Sequence, residues 1–319
     1  MTIMSPRRRR LSRSFATLSV LAVSCQEAPR PDGWSESEVV SELPATDYLA
    51  VVSVTLSEEE VAEPTALHAG AASISSVGTF VEYAGGTEDH VRMLSGIPRH
   101  PTQRFSSGTC VRADSLIQPA SPEGDGLVPA EVMLLDVGNI HLQAGPQRVP
   151  FDLVLVPDLP PLFAGISYRQ RTTPLPAGSV APDGSIRASV HIDALSDSDL
   201  SAISEPINFP PYIGLMAAYD RDTATLHARW QGRGSTPMEL ELGFEAADGG
   251  EIRVLCVVED SSRLTLALDD LEALELPASP PTHVVARRIA ASTRASGVFD
   301  AIDFQAIRSS RTLLSPPLL

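Results

Sequence analysis

Residues 238–258 have the sequence MELELGFEAADGGEIRVLCVV, and this stretch decides the fold class. The apolar runs Met238–Phe244 and Ile252–Val258 flank Asp248-Gly249-Gly250. An aspartate followed by two glycines between two such runs is typical of a β-hairpin turn, because glycine adopts the positive φ angles that tight hairpin turns require. The stretch therefore predicts two adjacent antiparallel strands.

The same pattern continues on both sides of this hairpin. Short apolar runs alternate with turn residues, and no long segment with the 3.6-residue period of a helix is present. The 27 prolines and 21 glycines suit many short strands better than long helices. The other predicted strands are Tyr48–Leu56, Ile74–Tyr83, Val132–Leu142, Phe151–Val156, Ser185–Ile192, Thr223–Trp230, Leu264–Leu268, and His283–Ala291 with Phe299–Ile307 as a closing antiparallel pair.

This spacing of strands predicts an all-β protein with one or two antiparallel β-sandwich domains, Ig-like or jelly-roll-like. We expect one sandwich over residues 46–165 and a second, Ig-like one over residues 166–319. The alternative is one large sandwich in which early strands complete a later sheet. Residues 57–60 have a capping-box pattern, but Pro64 limits any helix there to about one turn. Residues 269–275 predict one or two turns of helix. Residues 93–105 predict a loop.

The composition excludes several classes of function. Hydrophobic residues make up 43% of the chain and charged residues 20%, as in a globular protein. All 24 basic residues are arginines, so no phosphate-binding loop ending in Gly-Lys and no catalytic lysine exists. Of these arginines, five precede residue 25 and no acidic residue does, which leaves 19 basic against 40 acidic residues, a net charge of −21, in the remainder. A body this acidic repels phosphate backbones, so we expect no nucleic-acid partner.

The first 25 residues predict export. An arginine cluster (residues 7–10 and 13) precedes the short apolar run FATLSVLAVS at residues 15–24. The run is about half the ~20 residues that a membrane-spanning helix needs, which is typical of a secretory signal peptide.

Residues 21–25, Leu-Ala-Val-Ser-Cys, resemble the lipobox of bacterial lipoprotein signals. This resemblance implies cleavage before Cys25, acylation of Cys25 and attachment to a lipid bilayer; the alternative is an ordinary signal peptide. Gln26 stands where aspartate often marks inner-membrane lipoproteins, so the expected location is the outer membrane. Residues 26–45, rich in Pro, Glu, Ser and Asp, then form a flexible acidic tether.

The body resembles uncharacterised exported lipoproteins of GC-rich Gram-negative bacteria. Short elements spread over residues 105–275 carry this resemblance, and it implies a fold and a location but no activity. These elements are Gly108-Thr109-Cys110, Leu135-Asp136-Val137-Gly138-Asn139-Ile140, Arg229-Trp230-Gln231-Gly232, Cys256 and Leu268-Asp269-Asp270-Leu271.

No pattern in the sequence identifies a catalytic or metal site. A Gly-x-Ser-x-Gly elbow is absent. His191 and Asp193 share a strand face, but zinc needs three or four ligands, and a solvated strand face is the preferred interpretation. The acidic loops at residues 123–126 and 220–222 lack the order of a dedicated calcium loop, so weak calcium binding is the most they suggest. We therefore expect no cofactor and no catalytic residue.

The sequence favours a membrane-anchored envelope lipoprotein that acts as a non-catalytic binding, adhesion or structural module. Two alternatives stay open: a surface hydrolase of polysaccharide or peptide, and a carbohydrate- or calcium-dependent binding module. Trp230 shares its strand face with Leu226 and Ala228, so we expect it in the core rather than on a carbohydrate platform.

Two cysteines remain once Cys25 is acylated. Cys110 follows Gly108 in a predicted strand, and Cys256 shares a strand face with Val254 and Val258. In an oxidising compartment the two could form a disulfide. The alternative is two unpaired thiols that pack as small apolar groups.

Overall fold

The computed structural model describes residues 46–58, 72–98, 100–116, 131–159, 163–176, 178–181, 185–193, 200–277 and 279–314. The predicted signal peptide, Cys25, the tether and the acidic loop at residues 123–126 lie outside these ranges. The strands are β1 (Thr46–Glu58), β2 (Ala72–Ala84), β3 (Cys110–Arg112), β4 (Glu131–Leu134), β5 (Asn139–Ala144), β6 (Gln147–Pro150), β7 (Asp152–Leu159), β8 (Phe163–Pro174), β9 (Ala188–Asp193), β10 (Ile203–Ile207), β11 (Met216–Asp220), β12 (Thr225–Arg229), β13 (Met238–Glu245), β14 (Glu251–Val258), β15 (Arg263–Ala267), β16 (His283–Ser296) and β17 (Phe299–Leu313). The helical elements are α1 (Glu88–Leu94) and 3₁₀ helices over Pro101–Gln103, Ala113–Leu116 and Leu268–Leu274.

The strands form three sheets, which confirms the prediction of an all-β, sandwich-like fold. The main sheet has ten strands in the order β3-β14-β13-β16-β17-β1-β2-β4-β8-β7. Two smaller sheets have the orders β10-β9-β5-β6 and β11-β12-β15. The expectation of purely antiparallel sheets is wrong at two of the described pairings, because β1 runs parallel to β17 and β4 runs parallel to β8.

Two hydrophobic cores pack one face of the main sheet against the smaller sheets. In the first, Val52, Val54 and Phe304 of the main sheet share a cluster with Leu142 and Val190 of the four-stranded sheet. Burying an aliphatic side chain of this size stabilises the fold by about 1.5–3 kcal/mol. The cores thus bind the small sheets to the main sheet along its length.

The second core joins β13, β14 and β16 to the three-stranded sheet. Leu242 and Val284 of the main sheet share it with Leu226 and Trp230. Trp230 is 4% exposed, as predicted from the strand face that it shares with Leu226 and Ala228.

The predicted domain boundary near residue 165 is wrong, because it falls inside β8 and strands from both sides of it pair in the main sheet. Residues 44–319 form one compact unit. The pairing of the strands explains this outcome, because β1 lies between β2 and β17 and so joins the early strands of the sheet to the late ones. The alternative of one large sandwich therefore describes the chain better.

Local predictions fared unevenly. The hairpin of residues 238–258 is present as β13 and β14, with Gly249 at φ 81° in the turn. The turn expected at residues 57–60 is wrong for Ser57 and Glu58, which continue β1 because they pair with Ser73 and Ala72 of β2. The expected loop at residues 93–105 contains the end of α1 and a 3₁₀ helix, while the turns expected at residues 269–275 are a 3₁₀ helix.

A buried ion pair also stabilises the main sheet on the face that packs against the two cores. Arg288 of β16 donates to both carboxylate oxygens of Asp260 at 2.7 and 2.8 Å, and to the backbone carbonyls of Tyr212 at 2.7 Å and Gln231 at 3.0 Å. The indole of Trp230 donates to the same carboxylate at 2.7 Å. One guanidinium therefore fixes several loops beside the three-stranded sheet to the main sheet.

Candidate functional site

The alternate residues of strand β13 show how the two faces of the main sheet differ. Leu240, Leu242 and Phe244 are fully buried in the second core, and the alternating Glu239 and Glu241 lie on the opposite face. We call this opposite face the polar face. Its other members, on β1, β14, β16 and β17, are Ser53, Thr55, Ser57, Arg253, His283, Arg287, Gln305, Ser309 and Arg311.

Residues 88–98 and 100–116, which we call the covering segment, lie over one half of the polar face. Val91 and Ile97 of this segment pack against Leu49, Val51 and Val81 of β1 and β2. Beneath the segment is a cavity of about 580 Å³. One half of the polar face is therefore roofed, and the other is open.

A chain of hydrogen bonds centred on His100 crosses the roofed half. The Nδ1 atom of His100 lies 3.5 Å from Glu239 Oε2, and its Nε2 atom lies 3.2 Å from Gln305 Oε1. Ser53 Oγ donates to the same Gln305 oxygen at 2.9 Å. The backbone N–H and the hydroxyl of Thr102 donate to Glu239 Oε1 at 3.3 and 3.1 Å. These contacts connect the covering segment to β13, β17 and β1.

Glu241 and Arg287 lie where the roofed cavity meets the open groove. Arg287 Nη2 is 2.8 Å from Glu241 Oε2, with the carboxylate side chain 8% exposed and the guanidinium side chain 25% exposed. Both residues line the cavity and the groove. The pair places a buried carboxylate and a partly exposed guanidinium at the centre of the polar face.

The open half is a groove of about 800 Å³ whose floor is formed by His283. The imidazole lies over Gly243, where an added Cβ would overlap it. Its Nδ1 atom is 3.1 Å from Thr282 Oγ1 and its Nε2 atom is 3.7 Å from Glu251 Oε1. Burial, and next the charge of Arg311, lower the pKa of His283 below its ordinary value of 6.5. The imidazole is therefore neutral at pH 7.

Arg253 lies at the β14 end of the open groove, and Arg311 lies nearer its middle, on β17. Both are exposed and both line it. Within the described part of the chain, neither guanidinium has a hydrogen-bond or ion-pair partner. They contrast with Arg287, which is held by Glu241.

The structure joins Cys110 and Cys256 in a disulfide, one of the two possibilities left open by the sequence. The two residues are direct partners in the pairing of β3 with β14. Because β3 belongs to the covering segment, the disulfide ties that segment to the sheet whose polar face it covers.

His191 and Asp193 lie apart from the polar face, in the four-stranded sheet. His191 stacks on His141, with the ring centroids 4.8 Å apart and the planes 7° from parallel. Arg148 donates to Asp193 Oδ2 at 2.6 Å. In the predicted acidic loop at residues 220–222, the Asp222 N–H donates to Asp220 Oδ1 at 3.0 Å. Among the described residues, no group of three or more His, Cys, Asp or Glu side chains is placed to hold a metal ion.

The sequence interpretation missed the polar face as a site. A signal was present in β13, where Glu239 and Glu241 alternate with Met238, Leu240 and Leu242. Charged residues inside such an apolar run indicate that the second face of the strand meets water or polar groups. Their partners on other strands depend on the pairing register, which the sequence does not give.

Comparisons with known proteins add little. No protein-family model matches the chain, and no curated protein matches it. Among solved structures, it is similar to the mu-homology domain of yeast delta-COP-I, with 9% identity and a TM-score of 0.25 over 86% of this chain and 100% of that one. It is also similar to the mu homology domain of Fcho1 from Danio rerio with bound Eps15 peptide, with 8% identity and a TM-score of 0.25 over 86% of this chain and 98% of that one. At this TM-score neither likeness bears on function.

The described helices are all too short or too polar to cross a membrane.

Proposed function

We propose that the protein is a lipid-anchored envelope lipoprotein that acts as a non-catalytic binding module and takes its ligand in the open groove of the polar face. One observation carries the proposal of binding: a groove of about 800 Å³ lined by guanidinium, carboxylate, imidazole and hydroxyl groups. Its size lies within the range of about 300–1,000 Å³ that is usual for ligand pockets. Because these groups project from paired strands, their spacing is set before a ligand arrives.

The anchor rests on the lipobox-like residues 21–25. Two or three acyl chains on Cys25 would hold the protein firmly, at about 0.8 kcal/mol per buried methylene. A tether over residues 26–45 would keep the folded body roughly 25 Å from the lipid and leave the groove accessible. The proposed location is the outer membrane, and the proposed bilayer partner is bound only through Cys25.

The His100 network supports binding over hydrolysis by a serine nucleophile. In such enzymes the nucleophilic hydroxyl donates directly to the base. Here Ser53 Oγ donates to Gln305 Oε1, and His100 meets the same oxygen from the other side. The amide of Gln305 therefore stands between the hydroxyl and the imidazole.

Glu239 and Glu241 likewise support binding over glycoside hydrolysis. Their Cα atoms are about 7 Å apart along one strand, since they are two residues apart on one face. Hydrolysis needs two carboxyl groups on opposite sides of the scissile bond. These two side chains project side by side and are engaged by Thr102 and Arg287.

The anchor is tested by metabolic labelling with a fatty-acid analogue in a Gram-negative host. We expect the wild-type chain to label and to fractionate with membranes, and Cys25→Ala to do neither. Equal solubility of the two chains without labelling would contradict the proposed anchor.

The groove is tested by probing glycan and peptide arrays with the full chain in detergent. Ser309→Trp would fill the groove from β17, and Ala295→Trp places the same ring at an exposed position in β16 outside it. We expect wild-type binding to be lost in Ser309→Trp and kept in Ala295→Trp. Binding that survives Ser309→Trp, or chemical conversion of a bound probe, would reject the proposal.

A further inference from the structure

We propose that the open groove binds a short acidic oligosaccharide through its carboxylate groups, with Arg253 and Arg311 as the binding residues. This inference rests on the proposed function, in which the groove is a ligand site. It adds the chemical class of the ligand and the side chains that select it.

Charge pairing in the groove leaves two cations without partners. Arg287 is paired with Glu241 at 2.8 Å, while the exposed carboxylate of Glu251 lies 3.7 Å from the neutral imidazole of His283 and is not ion-paired with either remaining arginine. Arg253 and Arg311 have no such partner within the described residues, although the chain as a whole carries a net charge of −16. A guanidinium binds a carboxylate through two parallel N–H donors, so these two side chains match carboxylate groups in geometry as well as charge.

The strand register fixes how far apart the two guanidinium groups are anchored. Arg253 of β14 is in register with Gly243 of β13, which pairs with His283 of β16 and through it with Leu313 of β17. Arg311 lies two residues before Leu313. With strands about 4.8 Å apart and a rise of about 3.3 Å per residue, the two Cα atoms are about 16 Å apart. A ligand that reaches both side chains must therefore carry two separated anionic groups.

The lining of the groove favours a sugar over an acidic peptide. Four small hydroxyl side chains line the groove: Ser57, Ser73, Thr172 and Ser309. One of these hydroxyl groups is on β17 with Arg311, and the others lie beyond it on β1, β2 and β8, on the side away from Arg253. A hydroxyl both donates and accepts hydrogen bonds, which suits the many hydroxyl groups of a saccharide. The apolar lining is limited to Val285 and Leu313, so a peptide would find little surface for its apolar side chains. The neutral imidazole of His283 adds a hydrogen-bonding group without adding charge.

The acidic surface limits the ligand to a short chain. A long polyanion would extend past the groove and meet a body with many more carboxylates than guanidinium groups. Two or three sugars that occupy only the groove meet mainly its local charges. Binding should weaken in high salt, which screens exposed charges.

Titration calorimetry of the full chain in detergent tests the ligand class. The probes are trigalacturonate, its methyl ester, which has the same sugars without charge, and triglutamate, an acidic peptide. We expect binding of trigalacturonate alone. Arg253→Gln and Arg311→Gln should each weaken that binding by about tenfold or more, because a hydrogen bond to a charged group is lost. Arg263→Gln, the same change at an exposed position in the three-stranded sheet, should bind like wild type.

The outcomes separate this inference from the proposed function. Equal binding of the methyl ester, stronger binding of triglutamate, or affinities in the two groove variants equal to that of Arg263→Gln would overturn the ligand class. If trigalacturonate does not bind but another array probe does, and Ser309→Trp abolishes that binding, the groove is a site for a different ligand. If no probe binds, both proposals fail.

Discussion

Arg287 and Arg288 are neighbours in β16 and belong to opposite faces of the same sheet. Arg288 is buried and donates to Asp260 and to several backbone carbonyls. Within the described ranges Arg287 has one partner, Glu241, and a quarter of its side chain is exposed. Residue type alone therefore does not fix the role of an arginine. The number of acceptors around the guanidinium separates a structural cation from one that can meet a ligand.

We expect the largest effect from replacing Arg288, the buried arginine that donates to Asp260 and to several backbone carbonyls. Arg288→Met should lower the free energy of unfolding by about 3–5 kcal/mol, because Asp260, whose side chain is 1% exposed, would keep a buried negative charge without its counter-ion. Arg287→Met is the matched control, with an expected loss of about 1–2 kcal/mol, since one hydrogen-bonded pair facing the groove is removed. Urea denaturation measures both variants. Equal losses would remove the contrast between the two faces.

The disulfide between Cys110 and Cys256 sharpens the same comparison, because it ties the covering segment to β14 through Cys256, which is buried in the second core. Replacing both cysteines by serine should cost about 2–4 kcal/mol. We also expect limited proteolysis to cleave first within residues 88–116 in this variant. The control is the wild-type chain treated with a dithiol reductant, which should behave alike. First cleavage in the small sheets would contradict a role of the bridge in holding the covering segment.

Gly243→Ala tests the floor of the groove. The added methyl group overlaps the imidazole of His283, and such overpacking should cost about 1–3 kcal/mol. In a His283→Ala background the space is free, so the same change should cost much less. A double-mutant cycle with chemical denaturation measures this coupling. Additive losses would indicate that the imidazole does not lie over Gly243.

The smallest effect is the dependence of stability on pH. The pKa of His283 in the folded chain lies below 6.5, since burial outweighs the nearby carboxylates of Glu251 and Glu241 while Arg311 and Arg287 also lower it. The unfolded chain binds this proton first, so the contribution of His283 is complete above pH 6.5 and declines as the pH falls through that value. Wild type should lose stability in this range relative to His283→Gln. Parallel pH profiles of the two chains would be the contrary result.

The contribution of Asp260, which lies against the core-packed face of the main sheet, changes in a different pH range. Burial raises its pKa, but the hydrogen bonds from Arg288 and Trp230 outweigh burial, and the folded-state pKa lies below 3.8. Its contribution is therefore present above that value and declines only as the pH falls below it. Thermal melts at decreasing pH should show the loss that comes from His283 below pH 6.5, and the loss that comes from Asp260 only below pH 3.8. Asp260→Asn would remove only the later decline.

The parts of the fold that depend on neighbouring residues could be predicted from the sequence. The hairpin of residues 238–258 follows from its central glycines, and the pairing of β16 with β17 is antiparallel as expected. The burial of Trp230 followed from two-residue alternation in a single strand. Each of these inferences needs only residues close together in the chain.

The pairing of distant strands could not be predicted in the same way. Ser53 of β1 and Gln305 of β17 are in register although 252 residues separate them, and no local pattern encodes that partnership. The polar face was the hardest part to predict for this reason, because Arg253, His283 and Arg311 form one site only when four strands are paired in the correct register. The covering segment adds His100, which approaches the sheet from outside it.

The parallel pairing of β1 with β17 has a consequence for the order in which the chain acquires structure. During synthesis β1 is made early, whereas its parallel neighbour β17 begins only at Phe299. Until then the middle of the main sheet has an open edge, and only the hairpin with β2 can form beside it. Contacts of such high sequence separation close slowly. The middle of the main sheet is thus completed only when almost all of the chain has been made, because β17 ends at Leu313.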